Sequence, residues 1–175
     1  MLIFIDTEFT GLGQRQPKLI SLGLADETGR SFYAELPEAY YRQQCSEWVE
    51  ENVLPLLWGG EHVLPVEALK ERLRTWIEDL QDRAMLVTDS PDYDFELVKA
   101  LLEPWPHNLS KTPLQFDVTA MGVNRQKWLE GILATYHTQD RPEHHALHDA
   151  FALREGVMAA LERGWRPPRK DNSDR

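Results

Sequence analysis

Four successive apolar residues, Leu2-Ile3-Phe4-Ile5, open the chain and run straight into Asp6-Thr7-Glu8. An unbroken apolar run predicts a strand covered on both faces, as the central strand of an α/β sheet is. Phe9-Thr10-Gly11-Leu12-Gly13 reads as a turn. Lys18 to Ala25 and Ser31 to Leu36 read as strands, joined by a hairpin through Asp26-Glu27-Thr28-Gly29. The period then changes. From Glu47 to Trp58 and from Val66 to Leu80 the pattern turns helical, with Leu69, Leu73, Trp76, Ile77 and Leu80 at three- and four-residue steps. Ala84 to Thr88 predicts a fourth strand and Asp92 to Leu102 a helix after it. Leu114 to Val118 predicts a fifth strand, followed by helices near Asn124 to Tyr136 and His145 to Arg163, the last stopped by Gly164. The order predicts an α/β fold: a five-stranded mixed sheet, antiparallel over its first three strands and then parallel, with helices packed on it.

A hydrophobic content of 42% over 175 residues is enough for one real core. One domain over residues 1–165 is expected, followed by a disordered polar tail at 166–175. The formal charge of −10 argues against a broad basic surface for long nucleic acid, because Lys and Arg neutralising phosphates supply most such affinity. It leaves room for a short strand end held through metal ions. The single cysteine, Cys45, rules out an internal disulfide framework and suits a reducing cytosol. No apolar run approaches the ~18 residues of a membrane span, and no basic segment leads into one. The expected setting is therefore the cytoplasm, with no membrane partner.

The chemistry stands out as acids where the pattern calls for apolar residues. Side chains alternate along a strand, so Asp6 and Glu8 point the same way, roughly 7 Å apart. Two such anions at the end of a buried strand repel each other and resist desolvation unless a cation lies between them. Taken alone, Asp6-Thr7-Glu8 equally reads as a strand end running into a solvated turn. In the last helix Ala146, Ala150, Leu153, Val157 and Leu161 form an apolar stripe, and Asp149 lies inside it. After the fourth strand, Leu97, Val98 and Leu101 mark a buried face to which Asp94 also belongs. Each acid alone has an ordinary account: a salt bridge, or for Asp94 a helix cap. Four acids on three separate elements are explained more economically by a shared divalent cation. At an effective dielectric of ~20, each like-charge pair ~4 Å apart costs ~4 kcal/mol.

Glu143-His144-His145-Ala146-Leu147-His148-Asp149 then offers three histidines. Five positions along an ideal helix span roughly 140° of rotation, so His144 meets Asp149 only from the turn before the helix. Pro142 makes a helix start plausible there. In that place His144 would serve as a mobile general base, imidazole being the side chain that exchanges protons near neutral pH. His145 and His148 read as exposed positions at the helix start and on its first turns, and His107 and His137 as poorly placed to supply the further histidines that an HD-type site at His148-Asp149 would need. A zinc pair from His144 and His148 lacks a matching His or Cys pair elsewhere.

Together these pieces resemble one known family, the DEDDh branch of the DnaQ-like 3′-5′ exonucleases, which share an RNase H-like fold. Asp6-Thr7-Glu8 resembles the first motif, Tyr93-Asp94 with Leu97 the second, and His144-His145-Ala146-Leu147-His148-Asp149-Ala150 the H-x-A-L-x-D-A third. They fall in the family's order and span almost the whole chain. The first motif, continued through Thr10-Gly11-Leu12, is similar to that of oligoribonuclease and RNase T. The short chain resembles compact bacterial exoribonucleases typified by RNase AS. The second motif departs from the family, which often has an Asn shortly before the Asp where this chain has Thr88-Asp89-Ser90-Pro91.

The resemblance implies two Mg²⁺ or Mn²⁺ ions about 4 Å apart at the terminal phosphodiester. Asp6, Glu8, Asp94 and Asp149 would bind them: Asp6 bridging, Glu8 and Asp149 on the nucleophile side, Asp94 directly or through water. His144 would be the general base, and nucleoside 5′-monophosphates the products. Phe9, Thr10, Gly11 and Leu12 would frame the last nucleotide, with Phe9 or Leu12 against a base, although Phe9 equally reads as a core aromatic. The implied partners are 3′ ends of single-stranded RNA or short oligonucleotides, RNA being favoured over DNA by the subfamily likeness alone. A homodimer is also implied, with Trp48, Trp58 and Trp76 as candidate interface residues. Competing readings are a non-catalytic 3′-end binding module on the same fold, a 3′-5′ exodeoxyribonuclease, and an HD-type phosphohydrolase prompted by His148-Asp149.

Overall fold

The computed structural model describes residues 1–167, so the expected tail at 166–175 lies outside the described residues after its first two positions. The sheet is laid out around β1 (Leu2–Phe9), with β2 (Leu19–Asp26) and β3 (Ser31–Glu35) following it as antiparallel neighbours. β4 (Met85–Thr88) and β5 (Leu114–Gln115) add parallel strands on the other side, giving the order β3-β2-β1-β4-β5. The helices among the described residues are α1 (Glu38–Tyr41), α2 (Glu47–Asn52), α3 (Val66–Glu78), α4 (Asp94–Leu101), α5 (Val123–Tyr136) and α6 (Ala146–Glu162). The mixed α/β sheet is the one the apolar pattern predicts. No helix among the described residues is long and apolar enough to cross a membrane.

β1 is covered on both faces, as its apolar run demands. Ile3 and Ile5 join Leu22 and Leu24 of β2, the Leu69, Leu73 and Ile77 stripe of α3, and Phe95 and Val98 of α4. Phe4 belongs to a second cluster, with Val87, Phe116, Leu129 of α5, and Leu153 and Val157 of α6. Alternation along the strand then sends Asp6 and Glu8 toward the α6 side and Thr7 toward the α4 side.

Three elements differ from expectation. The helix read over Glu47 to Trp58 stops at Asn52 and is followed by a 3₁₀ turn at Leu54–Leu56. Pro55 has no N–H to donate and its ring would collide with the carbonyl one turn back. β5 covers two residues rather than five, because Asp117 Oδ1 takes the N–H groups of Thr119 and Ala120 and turns the chain away. The single turn α1, after Pro37, is too short to leave a periodic signal.

Candidate metal centre

Asp6 and Glu8 stand at the C-terminal end of β1, paired across the ladder with Gly23 and Ser21 of β2. Gly23 is a condition for what lies above it. A Cβ there would collide with the Ala146 carbonyl, so the start of α6 rests directly on the strand. That contact holds the turn before α6 over the two acids. His144 occupies the turn with φ 66°, a left-handed conformation that costs a residue with a Cβ roughly 1–2 kcal/mol. Its N–H donates to Asp149 Oδ2 at 2.9 Å, which offsets the strain and ties the turn to the first turn of α6. One ligand atom from each of Glu8, His144 and Asp149 lies within 4.8 Å of the other two.

Asp94 arrives from the opposite face, at the first position of α4, and is only 2% exposed. Its Oδ1 accepts from the N–H (3.1 Å) and hydroxyl (2.7 Å) of Thr7, and its Oδ2 from the Thr88 hydroxyl (2.6 Å). Threonines, not the salt bridge or helix cap that the sequence left open, satisfy this acid. With three of about four lone-pair sites occupied, Asp94 braces the end of β1 and keeps one site for a further contact.

The cleft beside these groups has a volume of about 740 Å³ and is lined by Asp6, Asp89, His137, His144 and Asp149, with Phe116 and Leu133 on its apolar wall. No Lys or Arg among the described residues lines it. Burial, then the charges of Asp94, Glu8, Asp149 and Asp89, hold Asp6 well above the usual carboxylate range. Burial, then Asp149 and Asp94, push Glu8 up to about 8. Burial raises Asp149 to about 7 against the pull of the His144 N–H, and Asp94 to about 6 against its threonine hydrogen bonds. Such a cluster must take up protons or a divalent cation. The donor set fits the cation: the carboxylate oxygens of Asp6, Glu8 and Asp149 suit Mg²⁺ or Mn²⁺, and among the described residues Asp149 Oδ1 is buried with no hydrogen-bond partner.

The four residues expected to frame a nucleotide divide into two kinds. Thr10 is buried and holds its turn, donating to Gln14 Oε1 and accepting from the Lys18 N–H. Gly11, at φ 145°, lets the turn close against Ser46, the N-cap of α2. Phe9 stacks face to face on Tyr93 at 4.8 Å, so this side of its ring serves packing. Leu12 is 78% exposed beside the turn.

Several residues were not legible as parts of the site. Trp48, 52% exposed, lies edge-on against the His144 ring at 4.8 Å. Asp89, the residue after β4, faces the cleft with Asp6; its place in the departing second motif was the available signal. His137 comes within 3.4 Å of Asp149 and lines the cleft with His144. His145 is 1% exposed rather than exposed, stacked between Tyr33 and His148 with Trp58 alongside. Burial and the neighbouring His148 hold its pKa down at about 4, so it is neutral. Trp76 is buried in the core and is not available to an interface.

The chain matches no protein-family model and no curated protein sequence. In three dimensions it is similar to E. coli ExoI–ssDNA complexes: the zinc-bound form at a TM-score of 0.55 and the metal-free form at 0.52, each 12% identical. The likeness covers 93% of this chain and 40% of the ExoI chain, so this chain spans about 40% of the length of the solved structures it matches. The five-stranded mixed sheet and its flanking helices are thus a fold shared with part of ExoI.

Proposed function

We propose that the chain is a metal-dependent 3′-5′ exonuclease of the DEDDh, DnaQ-like superfamily, releasing nucleoside 5′-monophosphates from 3′ ends of single-stranded RNA or short oligonucleotides. The observation that carries this reading is the meeting of Glu8, His144 and Asp149, from β1 and both sides of the start of α6, beside a cleft that no Lys or Arg among the described residues lines. Two bound Mg²⁺ or Mn²⁺ ions would neutralise the scissile phosphate and acidify the attacking water. Asp6, Glu8 and Asp149 supply oxygens to hold them, and Asp94, clamped by Thr7 and Thr88, would join them directly or through water with its remaining lone pair. The His144 ring, on a turn pinned by Asp149 and flanked by Trp48, takes the proton that water gives up. Exposed Leu12 and Trp48 offer apolar surface to the terminal bases, while Phe9, Thr10 and Gly11 shape the turn that faces the last nucleotide.

A second reading, a 3′-5′ exodeoxyribonuclease, is favoured by the single-stranded DNA that the ExoI structures of the same fold contain. A non-catalytic module is disfavoured by the complete set of acids with His144. The HD-type reading loses ground because, among the described residues, the grouping with metal-ligand spacing is Glu8, His144 and Asp149 rather than a set of histidines. A cytoplasmic homodimer accompanies the proposal, supported by the free Cys45 thiol and by the exposed Trp58.

The test is a panel of 5′-labelled RNA and DNA oligomers with Mg²⁺, Mn²⁺ or chelator, run beside H144A and D149N. Native protein should shorten the strands stepwise from the 3′ end only with metal. H144A should lose roughly 10²–10⁴-fold in rate and D149N most of its activity, both remaining folded by circular dichroism. Full turnover by either variant would overturn the assignment, and metal-dependent binding without cleavage would favour the module.

A further inference from the structure

We propose that His137 is a positioning residue that fixes the carboxylate of Asp149, a role that rests on the metal-dependent reading above. His137 follows the last residue of α5, and its N–H donates to the Leu133 carbonyl at 3.2 Å. It opens the tight turn in which Thr138 and Arg141 exchange backbone hydrogen bonds of 3.0 Å, and which returns the chain toward His144. The residue is therefore held on both sides by backbone contacts.

Its ring lines the cleft together with Asp6, His144 and Asp149. Nε2 stands 3.4 Å from Asp149 Oδ1, an oxygen that is buried and has no hydrogen-bond partner, and Nδ1 of the same ring is likewise buried and unpartnered. Asp149 is thus approached at both oxygens: Oδ2 by the His144 N–H at 2.9 Å, Oδ1 by the His137 imidazole. The contact to Oδ1, at 3.4 Å, is longer than a good hydrogen bond. A carboxylate that ligates a metal keeps its aim through the hydrogen bonds it receives from behind, and removing such a partner typically costs 10–100-fold in metal affinity. A purely space-filling His137 would be replaceable by any side chain of similar volume. A donor at Nε2 would not.

Gln and Asn separate the two cases, since Gln carries its N–H about where Nε2 stands and Asn about where Nδ1 does. The readout is Mn²⁺ affinity by titration calorimetry without substrate, paired with the Mn²⁺ dependence of oligomer cleavage. H137A and H137N should bind Mn²⁺ about tenfold more weakly and need correspondingly more of it for half-maximal turnover, while H137Q stays within about twofold of the native protein. Native affinity in H137A, or equal losses in the Gln and Asn variants, would overturn the role. D149N in the same titration separates the two failures. If D149N binds Mn²⁺ like the native protein, the metal-dependent reading itself falls; if it loses affinity while H137A does not, only the role of His137 does.

Discussion

Thr7 gives both its N–H and its hydroxyl to Asp94 Oδ1, and Thr88 gives its hydroxyl to Oδ2, so this acid is aimed before any ligand binds. These bonds also moderate its charge: burial lifts the Asp94 pKa to about 6, and without the threonines it would stand higher. T88V keeps the shape of the side chain and removes one donor to a buried carboxylate, together with the acceptor of the Ser90 N–H. Hydrogen bonds to charged groups contribute about 1.5–3 kcal/mol, and T88V should lower unfolding free energy by that amount in urea at about pH 8. A change indistinguishable from zero would mean that the hydroxyl does not hold the acid. His144 is constrained in a different way, by a left-handed backbone and a ring packed against Trp48. Strain of this kind persists where the surroundings over-determine it, here through the Asp149 carboxylate and the seat of α6 on the sheet.

The decisive element is α6, and two of its glycine contacts have opposite meanings. Gly23 of β2 meets the backbone of Ala146 and Leu147, and a methyl group there would push the helix start off the sheet. G23A should therefore destabilise the protein by about 1–3 kcal/mol, the usual range for overpacking, and also abolish cleavage by lifting His144 and Asp149 away from Glu8. Retained activity in G23A would show that the site tolerates a displaced α6. Gly156, inside the same helix, has only Leu133 Cδ2 at 3.4 Å and Phe116 at 3.7 Å from an added Cβ, ordinary contacts. G156A should be stabilising by about 0.5–1 kcal/mol, since a mid-helix glycine gives up that much relative to alanine. Thermal melts of the two variants side by side read both effects.

For the molecule as a whole, the acid cluster links stability to protons and metal. Glu8, Asp149 and Asp94 stand near 8, 7 and 6 when folded, against ordinary values of 4.5 for Glu and 3.8 for Asp. Through these three acids the folded chain binds more protons than the unfolded chain between about pH 4 and 8. They outweigh His145, whose lowered pKa acts the other way below about pH 6.5, and stability falls as pH rises through that window. Below the unfolded values the contribution is fully present. In chelator, Tm should drop between about pH 5 and pH 8.5, and E8Q should flatten the drop. Mn²⁺ should restore more at the higher pH, because it binds the ionised carboxylates and displaces their protons. A metal-free Tm that rises over this range would contradict the arrangement of acids.

The sequence by itself determined the features that local backbone geometry dictates. Strand alternation made Ile3, Phe4 and Ile5 a two-faced core and pointed Asp6 and Glu8 one way, and helical spacing placed Asp149 within a buried stripe of α6. Those periods survive almost any exchange of one apolar residue for another, which is why the sheet and helices were legible even though structures of the same fold share only 12% identity. Contacts between turns carry no such period. That His137 would reach Asp149, that Trp48 would lean on His144, and that Thr7 and Thr88 would clamp Asp94 depended on how α6 settles on Gly23 and how α4 meets β1 and β4. His145 is the plainest case: its position at a helix start suggested exposure, and the packing of Tyr33 and Trp58 from two other places in the chain, with His148 of its own helix, buried it. Spacing encodes which way a side chain leaves its own element; only the docking of elements, driven by apolar area far from the site, decides what it meets there.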